Sequence, residues 1–233
     1  MTSTIYLHPT APLAERVLLP GDPGRALRLA QSLLSEPRMF NHNRGLWGYT
    51  GEAVHDGRPL TIQSTGMGGP SAAIVIAELA ELGARTLVRV GTCGALVPAR
   101  TLGEILVVRE AIGADGTSRA LGADDRLAGS PELLSRLRKA LGGSAADAVA
   151  VSTDLFYDGP AGAEREWVAA GADVVEMELA TLFALGARRG LATGGLVIVS
   201  DLVLPERRRI DPDALQSAEL EVGEVAIRAL AAG

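Results

Sequence analysis

The chain has 233 residues and a formal net charge of −6, and its 47% hydrophobic and 21% charged residues are typical of a folded globular protein. The acidic balance argues against sequence-independent binding of DNA, which requires a basic surface. The longest apolar runs, such as residues 196–199, are far too short to span a bilayer, so we expect neither a nucleic acid nor a membrane as partner.

Short apolar runs alternate with stretches of helical length along the whole chain. The stretch 113–125 is polar and rich in glycine, and it is predicted to be a surface loop. The predicted strands are residues 16–20, 59–64, 86–90, 105–108, 148–152, 174–177 and 194–200. The predicted helices are residues 24–34, 71–82, 131–141, 164–170, 178–189 and 214–230.

The pattern of these elements predicts the fold class. Strands that are apolar throughout are buried on both faces of a sheet. Their alternation with helices indicates right-handed βαβ units. We therefore predict a single α/β domain over residues 1–233, with a central mixed, mostly parallel sheet flanked by helices.

Polar residues follow four of the predicted strands. They are residues 21–25 (GDPGR), 89–92 (RVGT), 176–178 (EME) and 200–201 (SD). In open α/β sheets, ligands bind outside the carboxyl ends of the strands. If these four ends meet at one edge, the site offers cations for an anion and carboxylates for a polyol.

Two arginines are placed where an unpaired cation is unfavourable. Arg25 lies in the first turn of a predicted helix, where a bound anion would offset the helix dipole. The alternative is an Arg25 that points to solvent or pairs with Asp22. Arg89 lies inside an apolar strand, so it must meet either a ligand anion or a carboxylate such as Glu104 or Glu176.

Four further residues carry candidate chemistry. Thr92 lies in a glycine-rich turn whose amides could hold an oxyanion. Glu176 and Glu178 face the same side of an extended segment and could accept ribose hydroxyls, although Glu178 could instead only stabilise the following helix. Asp201 ends an apolar run and suits a general acid, although Asp is also common in turns and helix caps.

Six segments together resemble one family. LLPGDPGRA, RGLWGYTG, TGMGGPSAA, RVGTCGAL, VVEMELA and IVSD occur in an order and at spacings similar to those of the nucleoside phosphorylases, the hexameric purine nucleoside phosphorylases and uridine phosphorylases. The resemblance covers residues 16–201. It implies reversible phosphorolysis, in which phosphate attacks the anomeric carbon of a ribonucleoside and the base is released. Inorganic phosphate is then a co-substrate, and no cofactor or metal is expected.

The resemblance also implies roles for individual residues. For phosphate, the matching positions are Gly21, Arg25, Arg89, Thr92 and, from the neighbouring subunit, Arg44. For ribose, they are Met67, Met177, Glu178 and, from the neighbouring subunit, His8. For the base, they are Cys93, Gly94, Phe156, Val175 and Glu176.

The purine branch is the closer one. Asp201 matches the aspartate that protonates purine N7, and Arg207 is favoured over Arg208 and Arg209 as the arginine that assists it. The Gln-x-Arg that reads uracil in the uridine branch is absent from residues 158–163. We therefore expect cleavage of purine nucleosides. Three alternatives stay open: a uridine phosphorylase, a phosphate-independent purine or thionucleoside nucleosidase, and a nonenzymatic binding protein.

The expected assembly and location follow from the same observations. The resemblance implies a homohexamer arranged as a trimer of dimers, in which Arg44 and His8 cross the dimer interface. The N-terminus lacks the basic-then-apolar layout of a signal peptide. The single Cys93 excludes an internal disulfide and fits a reducing compartment, so we expect a cytoplasmic protein.

Overall fold

A computed structural model describes residues 4–123, 125–142, 147–204 and 206–232. Its strands are β1 (Arg16–Leu19), β2 (Leu34–Asn41), β3 (Gly48–Ala53), β4 (Pro59–Gln63), β5 (Thr86–Ala95), β6 (Ile105–Gly113), β7 (Arg126–Ala128), β8 (Asp147–Ser152), β9 (Val174–Glu176), β10 (Ala192–Leu202) and β11 (Arg208–Arg209). Its α-helices are α1 (Pro23–Leu33), α2 (Gly69–Leu82), α3 (Gly116–Ala120), α4 (Pro131–Ala140), α5 (Ala163–Ala169), α6 (Leu179–Arg189) and α7 (Pro212–Ala231), and Asn43–Gly45 forms a 3₁₀ turn.

The described strands form one mixed sheet in the order β11-β10-β6-β8-β9-β5-β1-β4-β3-β2, with β7 paired to β6. β5 is parallel to both β1 and β10, and β1 is also parallel to β4. β10 pairs with β5 as well as β6, so β5, β9, β8, β6 and β10 close into a ring. The predicted α/β fold with a central mixed sheet is confirmed, and it brings the carboxyl ends of β1, β5 and β10 together.

Helices cover both faces of the sheet. Buried side chains of α2 and α6 pack on one face, and those of α1, α4 and α7 pack on the other. Four of these helices carry proline at their start, where the missing N–H costs no hydrogen bond. Gly223 allows α7 to approach α1 closely, since a Cβ there would lie 2.5 Å from Leu29 Cδ2. No helix among the described residues is long and apolar enough to cross a membrane.

The prediction of a surface loop over residues 113–125 is wrong. This stretch contains the end of β6 and all of α3. Asp115 is fully buried and begins α3, because its carboxylate accepts a 2.7 Å hydrogen bond from Ser118 N. The same carboxylate accepts from Ser118 Oγ at 2.5 Å and from Thr181 Oγ1 of α6 at 3.4 Å. Polar residues here satisfy one another inside the fold, which apolar periodicity does not reveal.

Candidate active site

A cavity of about 450 Å³ lies where β1, β5, β9 and β10 end, and its size suits a small-molecule ligand. His8 and Arg44 do not line it. Every other residue assigned to the site from the sequence does: Gly21, Arg25, Met67, Arg89, Thr92, Cys93, Gly94, Phe156, Val175, Glu176, Met177, Glu178, Asp201 and Arg207. The four polar strand ends therefore meet, as their positions in the sequence led us to expect.

Arg25 is buried beside the turn that follows β1. The Asp22 carboxylate caps α1 by accepting a 2.6 Å hydrogen bond from Arg25 N. It therefore contacts the backbone of Arg25 and not its guanidinium. The guanidinium pairs with Glu219 of α7, with 2.8 Å between Arg25 Nε and Glu219 Oε1. Gly21 lies close by, and a Cβ there would make a tight contact of 3.1 Å with Gly66 O.

Glu219 was missed by the sequence analysis. It is 4% exposed, and its second oxygen, Oε2, lies 2.5 Å from Arg28 Nη2. One buried carboxylate thus holds two arginines of α1, one of which faces the cavity. No local signal could have identified it, since Glu219 lies on α7, far from α1 in the chain.

Arg89 pairs with two buried carboxylates. Its Nε lies 3.3 Å from Glu176 Oε2, and its Nη2 donates to Glu178 Oε2. Glu104, the other candidate partner, pairs instead with Arg100 at 3.2 Å. Arg89 Nη1 is buried and donates to no described residue. The residue therefore combines a structural ion pair with a donor left over for a ligand in the cavity.

Glu176 accepts hydrogen bonds from three groups of the protein. Its carboxylate accepts from Ser152 Oγ, from Glu178 N at 2.8 Å and from Leu179 N at 3.0 Å. Burial raises the pKa of Glu176, and the Glu178 charge adds to this shift, whereas Arg89 opposes it. Within the protein, Glu176 anchors Arg89 and the first turn of α6.

Glu178 holds the glycine turn after β4 in place. Its Oε1 accepts from Gly68 N at 2.6 Å, while Oε2 pairs with Arg89. It makes no capping hydrogen bond to α6, and both of its oxygens contact groups outside that helix. Met67 in the same turn is 86% exposed, and Met177 also lines the cavity.

Asp201 lies in β10 and neither caps a helix nor sits in a turn. Its Oδ2 accepts from Ser200 Oγ at 2.8 Å, and its Oδ1 lies 3.2 Å from Arg209 Nε. The antiparallel register of β10 and β11 places Arg209 opposite Asp201. The structure therefore places Arg209, and not Arg207, beside Asp201.

Arg207 lies at the aromatic end of the cavity. Its guanidinium carbon is 5.3 Å from the ring centre of Phe156, a cation–π distance. Phe156 is 52% exposed and packs edge-on against Tyr157 with 4.8 Å between ring centres. On the inner side, burial raises the pKa of the Cys93 thiol well above its usual range, which keeps this wall of the cavity neutral.

His8 and Arg44 lie together on the surface, outside the cavity of their own chain. His8 N donates to Asn41 Oδ1 at 2.8 Å, and Asn43 Nδ2 donates to Tyr6 O at 2.9 Å. The Arg44 guanidinium carbon is 5.5 Å from the Tyr6 ring centre, and its backbone is left-handed with φ 58°. Both residues are exposed, so one surface patch presents them to the outside.

The polar side chains that line the cavity include arginines, carboxylates and hydroxyls. Within the described part of the chain, no group of three or more His, Cys, Asp or Glu side chains is arranged to hold a metal ion. Such a set can bind an oxyanion and a polyol side by side, and Asp201 can exchange a proton with a third group.

Comparison with known proteins agrees with this chemistry. Residues 15–232 match the model of the Phosphorylase superfamily. The chain is 36% identical over 198 residues to the DeoD-type purine nucleoside phosphorylase of Clostridium novyi (strain NT), covering 82% of this chain and 84% of the relative. It is 35% identical over 202 residues to the DeoD-type enzyme of Geobacillus kaustophilus (strain HTA426), covering 84% of each. It is 31% identical over 232 residues to the uridine phosphorylase of Escherichia coli (strain K12), covering 92% and 89%. The chain therefore belongs to the Phosphorylase superfamily, as an enzyme of its nucleoside phosphorylase family.

Proposed function

We propose that the protein catalyses phosphorolysis of purine ribonucleosides to the free base and ribose 1-phosphate, with inorganic phosphate as co-substrate and no cofactor. One observation carries the proposal: a single cavity joins the unpartnered Arg89 nitrogen, the buried Arg25 and Glu178, and the Asp201 carboxyl. These groups supply, in turn, a site for the phosphate anion, an acceptor for ribose hydroxyls and a proton donor for the leaving base.

The residues divide the reaction between them. Arg25 and Arg89, with the backbone around Gly21 and Thr92, hold phosphate in position to attack C1′ of the ribose. Glu178 accepts the ribose hydroxyls, while methionines line the sugar end. As the C1′–N9 bond breaks, its electron pair passes to the purine, and Asp201 gives a proton to N7. Positioning of the anion and proton donation to the leaving group are the two terms that lower the barrier.

A purine substrate is supported by two features. Asp201 lines the cavity, where its proton can reach N7 of a purine, and the Gln-x-Arg that the resemblance assigns to uracil recognition is missing from residues 158–163. A phosphate-independent nucleosidase is disfavoured, because the buried Arg89 Nη1, which has no hydrogen-bond partner among the described residues, would then have no ligand oxygen to bind.

We further propose that the active site is shared between subunits of a cytoplasmic homohexamer, arranged as a trimer of dimers. Support comes from the surface patch with His8 and Arg44. Its cation and its imidazole do not line the cavity of their own chain, so they are available to a neighbouring subunit. Across a dimer interface, Arg44 would reach the partner's phosphate and His8 the partner's ribose.

The direct test is release of free base from inosine, adenosine, guanosine and uridine, each with and without phosphate. We expect release from the purine nucleosides only when phosphate is present, together with ribose 1-phosphate as second product. Release without phosphate would establish a nucleosidase and leave the arginines without their role. Cleavage of uridine alone would move the protein to the uridine branch.

Arg209 and Arg207 are distinguished by two variants. Arg209→Ala should slow inosine cleavage about two- to fivefold, the range for an exposed ion pair, because Asp201 loses its cationic neighbour. It should leave cleavage of 7-methylguanosine unchanged, since that base departs without a proton on N7. Arg207→Ala should affect both substrates alike, because its contact is with Phe156. Initial rates on the two substrates measure the difference, and a loss specific to inosine in Arg207→Ala would restore Arg207 to the assisting role.

Glu219→Gln should raise the KM for phosphate about tenfold, the value of one charge-assisted hydrogen bond. The neutral amide holds Arg25 more weakly, so the guanidinium is no longer fixed toward the cavity. Glu224→Gln is the matched control, because Glu224 lies on the same helix and, among the described residues, pairs with exposed Arg228 at 3.8 Å. An unchanged or lower KM in Glu219→Gln would mean that Glu219 merely offsets the charge of Arg25.

A further inference from the structure

Ser200 and Asp201 are consecutive residues of β10, yet their side chains meet. In a regular strand, consecutive side chains point to opposite faces of the sheet. β10 pairs with β5 through Val199↔Cys93 and then Asp201↔Gly94, so Ser200 is the extra residue of a β-bulge. The bulge allows Ser200 Oγ to lie 2.8 Å from Asp201 Oδ2.

The Ser200 hydroxyl has a second acceptor within reach. Its Oγ lies 3.2 Å from Cys93 O, the carbonyl of the facing residue on β5. A hydroxyl carries one proton and can itself accept, so it donates to only one of the two acceptors at a time. The contact with Asp201 Oδ2, at 2.8 Å, is shorter than the contact with Cys93 O, at 3.2 Å, and it is made to a charged group, so it is the stronger of the two.

The two oxygens of Asp201 have different surroundings. Oδ2 is occupied by Ser200, whereas Oδ1 is buried and accepts no hydrogen bond with good geometry from the described residues. The charged group nearest this carboxyl is Arg209 of β11, with 3.2 Å between Arg209 Nε and Asp201 Oδ1, and further charged residues line the same cavity as Asp201. Those residues are Asp22, Arg25, Arg89, Glu164, Glu176, Glu178 and Arg207.

We propose that Ser200 is a positioning residue for proton donation by Asp201. Its hydroxyl donates to Oδ2, which leaves Oδ1 as the oxygen that carries the proton toward the base. When that proton passes to N7 and the C1′–N9 electron pair passes to the purine, the same hydrogen bond stabilises the new carboxylate. The Ser200 proton stays on Oγ throughout. This inference rests on the proposed function, because it requires Asp201 to act as the acid.

Ser200→Ala tests the proposal through kcat and its pH profile. We expect kcat for inosine to fall about tenfold, the effect of one hydrogen bond to a charged group, with an unchanged KM for phosphate. The acid form of Asp201 is the active one, and loss of a donor disfavours its ionised form. The alkaline midpoint of the profile should therefore move to higher pH. Ser200→Thr, which keeps the hydroxyl, should restore both the rate and the midpoint.

Substrate choice separates this role from a structural one. The base of 7-methylguanosine departs without a proton on N7, so the Ser200→Ala enzyme should cleave this nucleoside at the wild-type rate. Ser130→Ala is the matched control, because Ser130 Oγ accepts from Thr193 N near the opposite end of β10 at 2.9 Å and does not line the cavity. Equal losses on both substrates, or an unmoved pH midpoint, would overturn the proposal. A wild-type protein without phosphate-dependent purine release would instead overturn the proposed function itself.

Discussion

Replacing Asp201 with asparagine is expected to slow phosphorolysis of inosine by about 10²–10⁴-fold, the usual contribution of a general acid. Asparagine has nearly the same shape and can still accept from Ser200 Oγ, but it has no acidic proton to give to N7. The phosphate arginines are untouched, so the KM for phosphate should remain at its wild-type value. Steady-state rates at varied phosphate measure both quantities.

The control for Asp201→Asn is a substrate instead of a second variant. The 7-methylated purine of 7-methylguanosine already carries the positive charge that protonation would create, so its departure needs no acid. We expect wild-type and variant enzymes to cleave it at similar rates. If the variant keeps full activity on inosine, Asp201 is not the acid. If it loses both substrates equally, Asp201 serves the structure of the site.

Arg89→Ala is expected to have the second largest effect. It removes the donor available to phosphate and leaves Glu176 and Glu178 buried without their shared cation. Loss of a charge-assisted contact should raise the KM for phosphate about 10- to 100-fold. Breaking a buried ion pair from one side costs about 3–5 kcal/mol, so the thermal unfolding midpoint should also fall.

A second variant keeps this prediction decisive where Arg89→Ala folds poorly. Arg89→Lys retains a positive charge between the two glutamates but lacks the planar fork that can hold two carboxylates and a phosphate at once. It should fold and still bind phosphate more weakly. Arg85→Ala, at an exposed position just before β5, is the matched control and should change neither quantity. A folded Arg89→Lys enzyme with normal phosphate dependence would refute the assignment.

Much of the fold could be predicted because its signals are local. Apolar runs mark the strands of the ring that includes β5, and prolines mark the starts of α1, α2, α4 and α7. The strand β2 was not predicted, since most of its side chains are exposed and Pro37 interrupts it at the end of the sheet. Edge strands bury too little apolar surface to show a clear pattern in the sequence.

The candidate site could be predicted in its residue types but not in its connections. Polar residues at four strand ends were sufficient to locate the cavity. The carboxyl ends of the parallel strands β1, β5 and β10 share one edge, and β9 joins them through its antiparallel pairing with the end of β5. The partners of those residues could not be read from the chain. Only its packed surroundings reveal that Glu176 anchors Arg89 and α6.

The sequence by itself determined the fold class, the family and the residue types gathered at the candidate site, because strand patterns and motifs are properties of neighbouring residues. The tertiary structure alone decided that Glu219 holds Arg25, that Arg209 stands beside Asp201, and that a bulge brings Ser200 to that carboxyl. The physical reason is that these contacts join distant segments or depend on strand register. Buried charges and hydrogen bonds are satisfied by whatever the packed fold places within about 3 Å of them.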